Sequence, residues 1–134
     1  MTNSRSILVV DNYSNVRDVL GVALRRWGYD VQLAASGEEA CEILRHISVD
    51  AVLMDLRMPA MSGQTLYHII LSQWPELRFR VIVMTADPDA PDHEPWLRLY
   101  RLPVVSKPFT LDEVALLLDA VTAEGPREVN GKFR

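Results

Sequence analysis

The chain has 134 residues, 49% of them hydrophobic and 24% charged, with a formal net charge of -4, a balance ordinary for one globular domain that buries its own core. That charge gives no basic field for gripping a phosphate backbone, which argues against nucleic-acid binding by this domain. No apolar stretch approaches the ~20 residues that cross a bilayer, and the opening "MTNSRS" lacks the apolar region of a signal peptide, so no membrane association and a cytoplasmic location are expected.

An apolar run over 7–10 predicts a first strand that stops at Asp11 and Asn12. Val16, Val19, Leu20, Ala23, Leu24 and Trp27 then recur at helical spacing, with Ser14 as the expected N-cap and Gly28 as the stop. A weaker strand over 31–34 leads into "SGEEACEILRHI", where Ser36 and Glu39 have capping-box spacing and Ala40, Ile43, Leu44 and Ile47 line one face. The run over 51–54 is a third strand ending at Asp55, and after "LRMPAMSG" Ser62 is expected to cap a helix with Leu66, Ile69 and Ile70 inward.

A fourth strand over 80–84 ends at Thr85 and Ala86. The following "DPDAPDHEPWLRLY" carries Pro88, Pro91 and Pro95, and proline inside a helix costs about 3 kcal/mol or more. The spacing therefore predicts an irregular loop and then one short helix from Pro95 through Tyr100. The run over 102–106 is a fifth strand, and Thr110 with Glu113 repeats the capping box ahead of Val114, Leu117, Leu118 and Val121. Gly125 and Pro126 stop that helix, which puts the domain at 1–124 and a loose tail at 125–134. Cys41, the only cysteine, excludes an internal disulfide and reads as a small core residue; His46, His68 and His93 lie too far apart for a zinc motif.

Apolar runs alternating with helical patterns mark βαβ units and a parallel sheet. In such sheets ligands sit beyond the carboxyl ends of the strands. Strand 1 ends in Asp11 and Asn12, strand 3 in Asp55, strand 4 in Thr85 and strand 5 at Lys107, while strand 2 ends in nothing comparable. The types suit one chemistry. Magnesium takes oxygen ligands, which Asp11, Asn12, Asp55 and a backbone carbonyl, assigned to Arg57, would supply. A carboxylate beside that ion is a nucleophile toward phosphorus, Lys107 neutralises charge on the transferred group, and the Thr85 hydroxyl donates to one of its oxygens.

The stretches "ILVVDN", "VLMDLRMPAMSG", "VIVMTA" and "SKPF" resemble the signatures of response regulator receiver domains of two-component signalling, in a single-domain form. The resemblance implies a flavodoxin-like three-layer sandwich with strand order 2-1-3-4-5, in which Pro88, Pro91 and Pro95 make this chain's fourth helix atypical and proline-disrupted. It implies a phosphoacceptor at Asp55, acidic-pocket positions at Asp11 and Asn12, a switch hydroxyl at Thr85, a phosphate-pairing lysine at Lys107 and a cis bond before Pro108. The implied partners are a phosphohistidine donor, on a sensor histidine kinase or phosphotransfer protein, and a downstream protein of unknown identity, with dimerisation possible through the fourth-helix face.

The chain departs from that pattern at named positions. Asn12 stands where receiver domains carry a second acid, so weakened magnesium binding is predicted. Val104 replaces an aromatic residue common three places before the lysine. Arg57 and Asp87, each two places beyond a signature residue, are expected to pair across the pocket mouth and slow loss of phosphate. The alternative is a receiver-like interaction module that signals without phosphorylation. An aspartyl phosphatase would need a general acid where Arg57 stands, and a flavin carrier would need a phosphate cradle that the first loop lacks.

Overall fold

The computed structural model describes residues 5–123. Its elements, in order, are β1 (Ser6–Val10), α1 (Ser14–Arg26), β2 (Asp30–Ala34), α2 (Gly37–His46), β3 (Ala51–Asp55), α3 (Gly63–Gln73), a 3-10 turn (Pro75–Leu77), β4 (Val81–Thr85), α4 (Glu94–Tyr100), β5 (Val104–Ser106) and α5 (Leu111–Thr122). The strands form one parallel sheet in the order β2-β1-β3-β4-β5. This is the expected α/β order.

Successive strand side chains point to opposite faces, and the core divides accordingly. Ile7, Val9, Leu53, Ile82 and Met84 meet Leu20 and Leu24 of α1 and Val114, Leu118 and Val121 of α5. Leu8, Val10, Val52, Met54 and Val83 meet Ala40, Cys41 and Leu44 of α2, Leu66, Tyr67 and Ile70 of α3 and Leu97 of α4. Strands covered on both faces are apolar throughout, which is why β1, β3 and β4 stand out as continuous runs. Cys41 is buried and free, and burial pushes its thiol pKa up, as expected of a core residue.

Local signals set most helix starts. Ser62 accepts from the Thr65 N–H, and Thr110 and Glu113 complete a reciprocal capping box. Ser36 accepts from the Glu39 N–H, but the Glu39 carboxylate turns to the Ala35 N–H, so the expected box is half formed. Ser14 is no N-cap: the helix begins at that residue, with Tyr13 before it, and the Tyr13 N–H is taken by the Asp11 carboxylate at 2.9 Å. Gly28 ends the turn after α1 at φ 94°. Val19 and Trp27, which share the helical spacing of the buried α1 residues, are 54% and 43% exposed.

β4 starts one residue later than expected and includes Thr85. β5 is three residues rather than five. The Leu102 N–H returns to the Leu97 carbonyl as part of the α4 end, where Arg101 is left-handed at φ 55°, and Pro103 has no N–H to give. The short fourth helix, Glu94–Tyr100, takes the place expected after the proline-rich loop. The predicted boundary at 124 and the tail lie outside the described residues.

Candidate functional site

The reversal of strand order falls between β1 and β3, whose neighbours across it are β2 and β4, and the carboxyl ends of β1, β3, β4 and β5 meet there. Asp11 and Asp55 are buried, and Lys107 reaches both: its Nζ stands 2.9 Å from Asp11 Oδ2 and 3.5 Å from Asp55 Oδ2. Residues far apart in the chain thus become one site. Lys107 is placed by its N–H, which donates to the Thr85 carbonyl at 2.8 Å, and is followed by a cis bond to Pro108.

Asp55 is carried to the mouth by the last position of β3, which α3 approaches closely. A Cβ on Gly63 would collide with the Asp55 carbonyl oxygen and lie 2.8 Å from the Leu56 Cα. Glycine is therefore what allows the Gly63 N–H to donate to the Leu56 carbonyl at 2.9 Å and hold the loop against the strand.

Burial pushes the Asp55 carboxyl pKa up; the Lys107 cation pulls it back, the Asp11 carboxylate raises it further, and a hydrogen bond from the Arg57 backbone N–H opposes the rise. Two carboxylates sharing one cation leave the pair short of positive charge. Asn12 follows Asp11 in the chain, and its Oδ1 is buried and has no hydrogen-bond partner, a state that buried acceptors seldom keep. Among the described residues no group of three or more His, Cys, Asp or Glu side chains is placed to hold a metal ion. The donor set is instead two carboxylates and a carboxamide. Hard oxygen donors with surplus negative charge fit a magnesium ion with retained waters. Nothing in the structure bears on the Arg57 carbonyl as a further ligand.

Thr85 is buried, and its Oγ1 accepts from the Asp87 N–H at 3.1 Å, which leaves its own hydrogen free to donate. Ala86 beside it is exposed. Arg57 does not pair chiefly with Asp87, as expected from the sequence. Its two terminal nitrogens each stand 3.2 Å from an oxygen of Asp92, while Asp87 is 3.9 Å away. A forked guanidinium matches a carboxylate that presents both oxygens, and the loop offers Asp92 that way. Asp92 and the buried His93 were missed; an irregular proline-rich loop carries no periodicity that would single them out. Also unforeseen is a ring cluster where α3 meets α4. Tyr67, His68, Trp96 and Tyr100 have centroids 5.3–6.1 Å apart, and the Trp96 indole N–H donates to His68 Nε2 at 3.0 Å.

Residues 7–119 match the model of the response regulator receiver domain. The regulatory protein AtoC of Escherichia coli K12 is 37% identical over 118 residues, 88% of this chain and 25% of that protein. The probable transcriptional regulatory protein TcrX of Mycobacterium tuberculosis is 32% identical, over 87% of this chain and 49% of its own length. The chain thus spans from a quarter to about half of the curated relatives it matches. Among solved structures, the receiver domain of sensor histidine kinase PA1611 from Pseudomonas aeruginosa PAO1, described with magnesium in its active site cleft, has a TM-score of 0.79 at 28% identity and covers 91% of this chain and 100% of that one. Chemotaxis protein CheY4 of Vibrio cholerae has a TM-score of 0.80 at 23% identity, over 89% of this chain and 99% of that one, and shows the same fold. Among the described residues, no helix is long and apolar enough to cross a membrane.

Proposed function

The chain belongs to the response regulator receiver family, and we propose that it accepts a phosphoryl group on Asp55 from a phosphohistidine of a sensor kinase or phosphotransfer protein and signals by protein contact. The observation that carries this reading is the buried Asp55 carboxylate, which shares the Lys107 cation with the buried Asp11.

In the transfer, an Asp55 oxygen forms a bond to phosphorus as the bond to the donor imidazole nitrogen breaks, the electron pair staying on that nitrogen. Asp11, Asn12 and Asp55 would hold magnesium, which when bound offsets the negative charge of carboxylates and phosphoryl oxygens. Lys107 is divided between two carboxylates at rest, so a phosphorylated Asp55 offers it a more negative partner. The Thr85 hydroxyl has a hydrogen to donate to a phosphoryl oxygen, which draws its Oγ1 away from the Asp87 N–H and disturbs the loop after β4. That movement is the signal a partner protein reads. The charge lost at Asn12 weakens the cation without removing its oxygen ligand.

A second reading, a module that works without phosphorylation, draws support from the absence of a three-acid cluster among the described residues. Intact-protein mass after incubation with a small phosphodonor, with and without magnesium, separates the two. A magnesium-dependent phosphate adduct that is absent from Asp55→Ala supports phosphoacceptance. No adduct from the small donor or from a phosphorylated histidine protein supports the second reading.

A further inference from the structure

Tyr13 stands two residues beyond Asp11, immediately before α1, and is 59% exposed. A single exposed aromatic side chain needs no functional explanation. This one is set apart by what it faces, because the Lys107 ammonium lies over its ring, 5.8 Å from the centroid. The same ammonium is 2.9 Å from Asp11 Oδ2 and 3.5 Å from Asp55 Oδ2. The other Asp11 oxygen accepts the Tyr13 N–H at 2.9 Å. One buried carboxylate therefore fixes the base of the tyrosine and the tip of the lysine together, and carboxylate, ring and ammonium form a closed set of contacts.

The face of an aromatic ring carries partial negative charge and attracts a cation within about 6 Å of its centroid. Lys107 is a side chain that such a contact serves. It has a long flexible stem, which loses rotamer freedom when it is held in one place. It follows β5, a strand of three residues at the edge of the sheet, and its side chain is 18% exposed, so burial alone does not enclose it. Tyr13 reaches it from the end of the buried β1. We propose that Tyr13 is a positioning residue for phosphoryl transfer: its ring holds the Lys107 ammonium at the site, so that charge developing on the phosphoryl oxygens meets a cation already in place. The inference rests on the phosphoacceptor reading above. In the step concerned, an Asp55 oxygen bonds to phosphorus as the phosphorus–nitrogen bond of the donor breaks, the electron pair leaving with the nitrogen. Tyr13 forms and breaks no bond; its contribution is a cation that need not reorganise during the step.

The test uses phosphoramidate with magnesium, ammonia being the leaving group, and follows adduct formation by intact mass. Tyr13→Leu keeps an apolar side chain without a ring face and should slow the reaction about two- to fivefold, the rate equivalent of a solvent-exposed contact between a cation and a ring. Tyr13→Phe keeps the face and should restore the rate to within about twofold of the parent. Phenylalanine bearing one, two or three fluorines at position 13 loses negative charge from its face with little change of shape, and the rate should fall along that series. A merely structural role for the ring gives no such gradient. In a Lys107→Ala background, Tyr13→Leu should have no further effect. A parental rate in Tyr13→Leu, a flat fluorine series, or a full Tyr13→Leu effect in the absence of Lys107 would overturn the proposal. Should Tyr13→Leu fail to fold, the fluorine series decides alone. A parent chain that forms no adduct from phosphoramidate or from a phosphorylated histidine protein would instead overturn the phosphoacceptor reading and the proposal with it, a result distinguishable because no rate is then measured in any variant.

Discussion

β1 and β3 at the middle of the sheet and β5 at its edge carry neighbouring parts of one site on very different supports. β1 and β3 have five residues each, buried almost throughout, and are backed by helices of 13, 10 and 11 residues. β5 has three residues, of which only Val105 is buried, and the α4 beside it has seven. Asp11 and Asp55 stand on the first support; Lys107 and the loop holding Asp87, Asp92 and His93 stand on the second. Segments with few buried apolar contacts open at lower free energy than the core. On the proposed reading the two supports divide the labour: the phosphoacceptor Asp55 is held still and the segment that answers it is free to rearrange.

The largest predicted effect attacks the rigid side. Gly63→Val forces a side chain into the Asp55 carbonyl and Leu56, and overpacking of this kind costs about 1–3 kcal/mol or more. Denaturant unfolding should show that loss together with a failure to form the phosphate adduct; a stable, phosphorylatable variant would remove the distinction between the two supports. On the softer side, Trp96→Ala dismantles the ring cluster joining α4 to α3 and is expected to cost about 1–2 kcal/mol. Amide exchange should speed up through 94–100 and stay unchanged in β1 and β3. Equal acceleration in both places would mean that the two regions open together.

Asp55 sharpens the comparison through charge. Burial, chiefly, raises its pKa above the ordinary aspartate value, so folding favours its protonated form. Stability from that protonated form is fully present below the unfolded pKa, near 3.9, and is lost as pH rises through the higher folded value. With magnesium chelated, Asp55→Asn should therefore match the parent in acid and become more stable than it toward neutral pH. A thermal midpoint that falls below the parent's at neutral pH would contradict this sign. The smallest effect is at Arg57, where the Ala variant should change stability in denaturant unfolding by under about 1 kcal/mol, as for other exposed pairs.

The same contrast governs what could be read from the sequence. Strands covered on both faces leave unbroken apolar runs, and the caps at Ser62 and Thr110 depend on atoms three residues apart, so both were legible. The convergence of Asp11, Asp55, Thr85 and Lys107 followed from their common position at strand ends. Ser14 failed as a cap because the helix begins one residue earlier, the Arg17 N–H already returning to the Tyr13 carbonyl. β5 was overlong because Leu102 is claimed by the end of α4, a tertiary choice that an apolar run does not record. Arg57 found Asp92 rather than Asp87 because side-chain direction in an irregular loop has no period. His93 is the clearest omission: its burial comes from the loop folding over it, and nothing adjacent in sequence announces that.

The central claim is that Asp55 is the residue that takes the phosphoryl group. Borohydride reduces an acyl phosphate to the alcohol and so converts the phosphorylated aspartate to homoserine, which peptide mapping locates. Treatment of the chain after incubation with a phosphodonor and magnesium should place homoserine at position 55 and nowhere else. Homoserine at position 11, or at no position with donor and magnesium both in excess, would contradict the account.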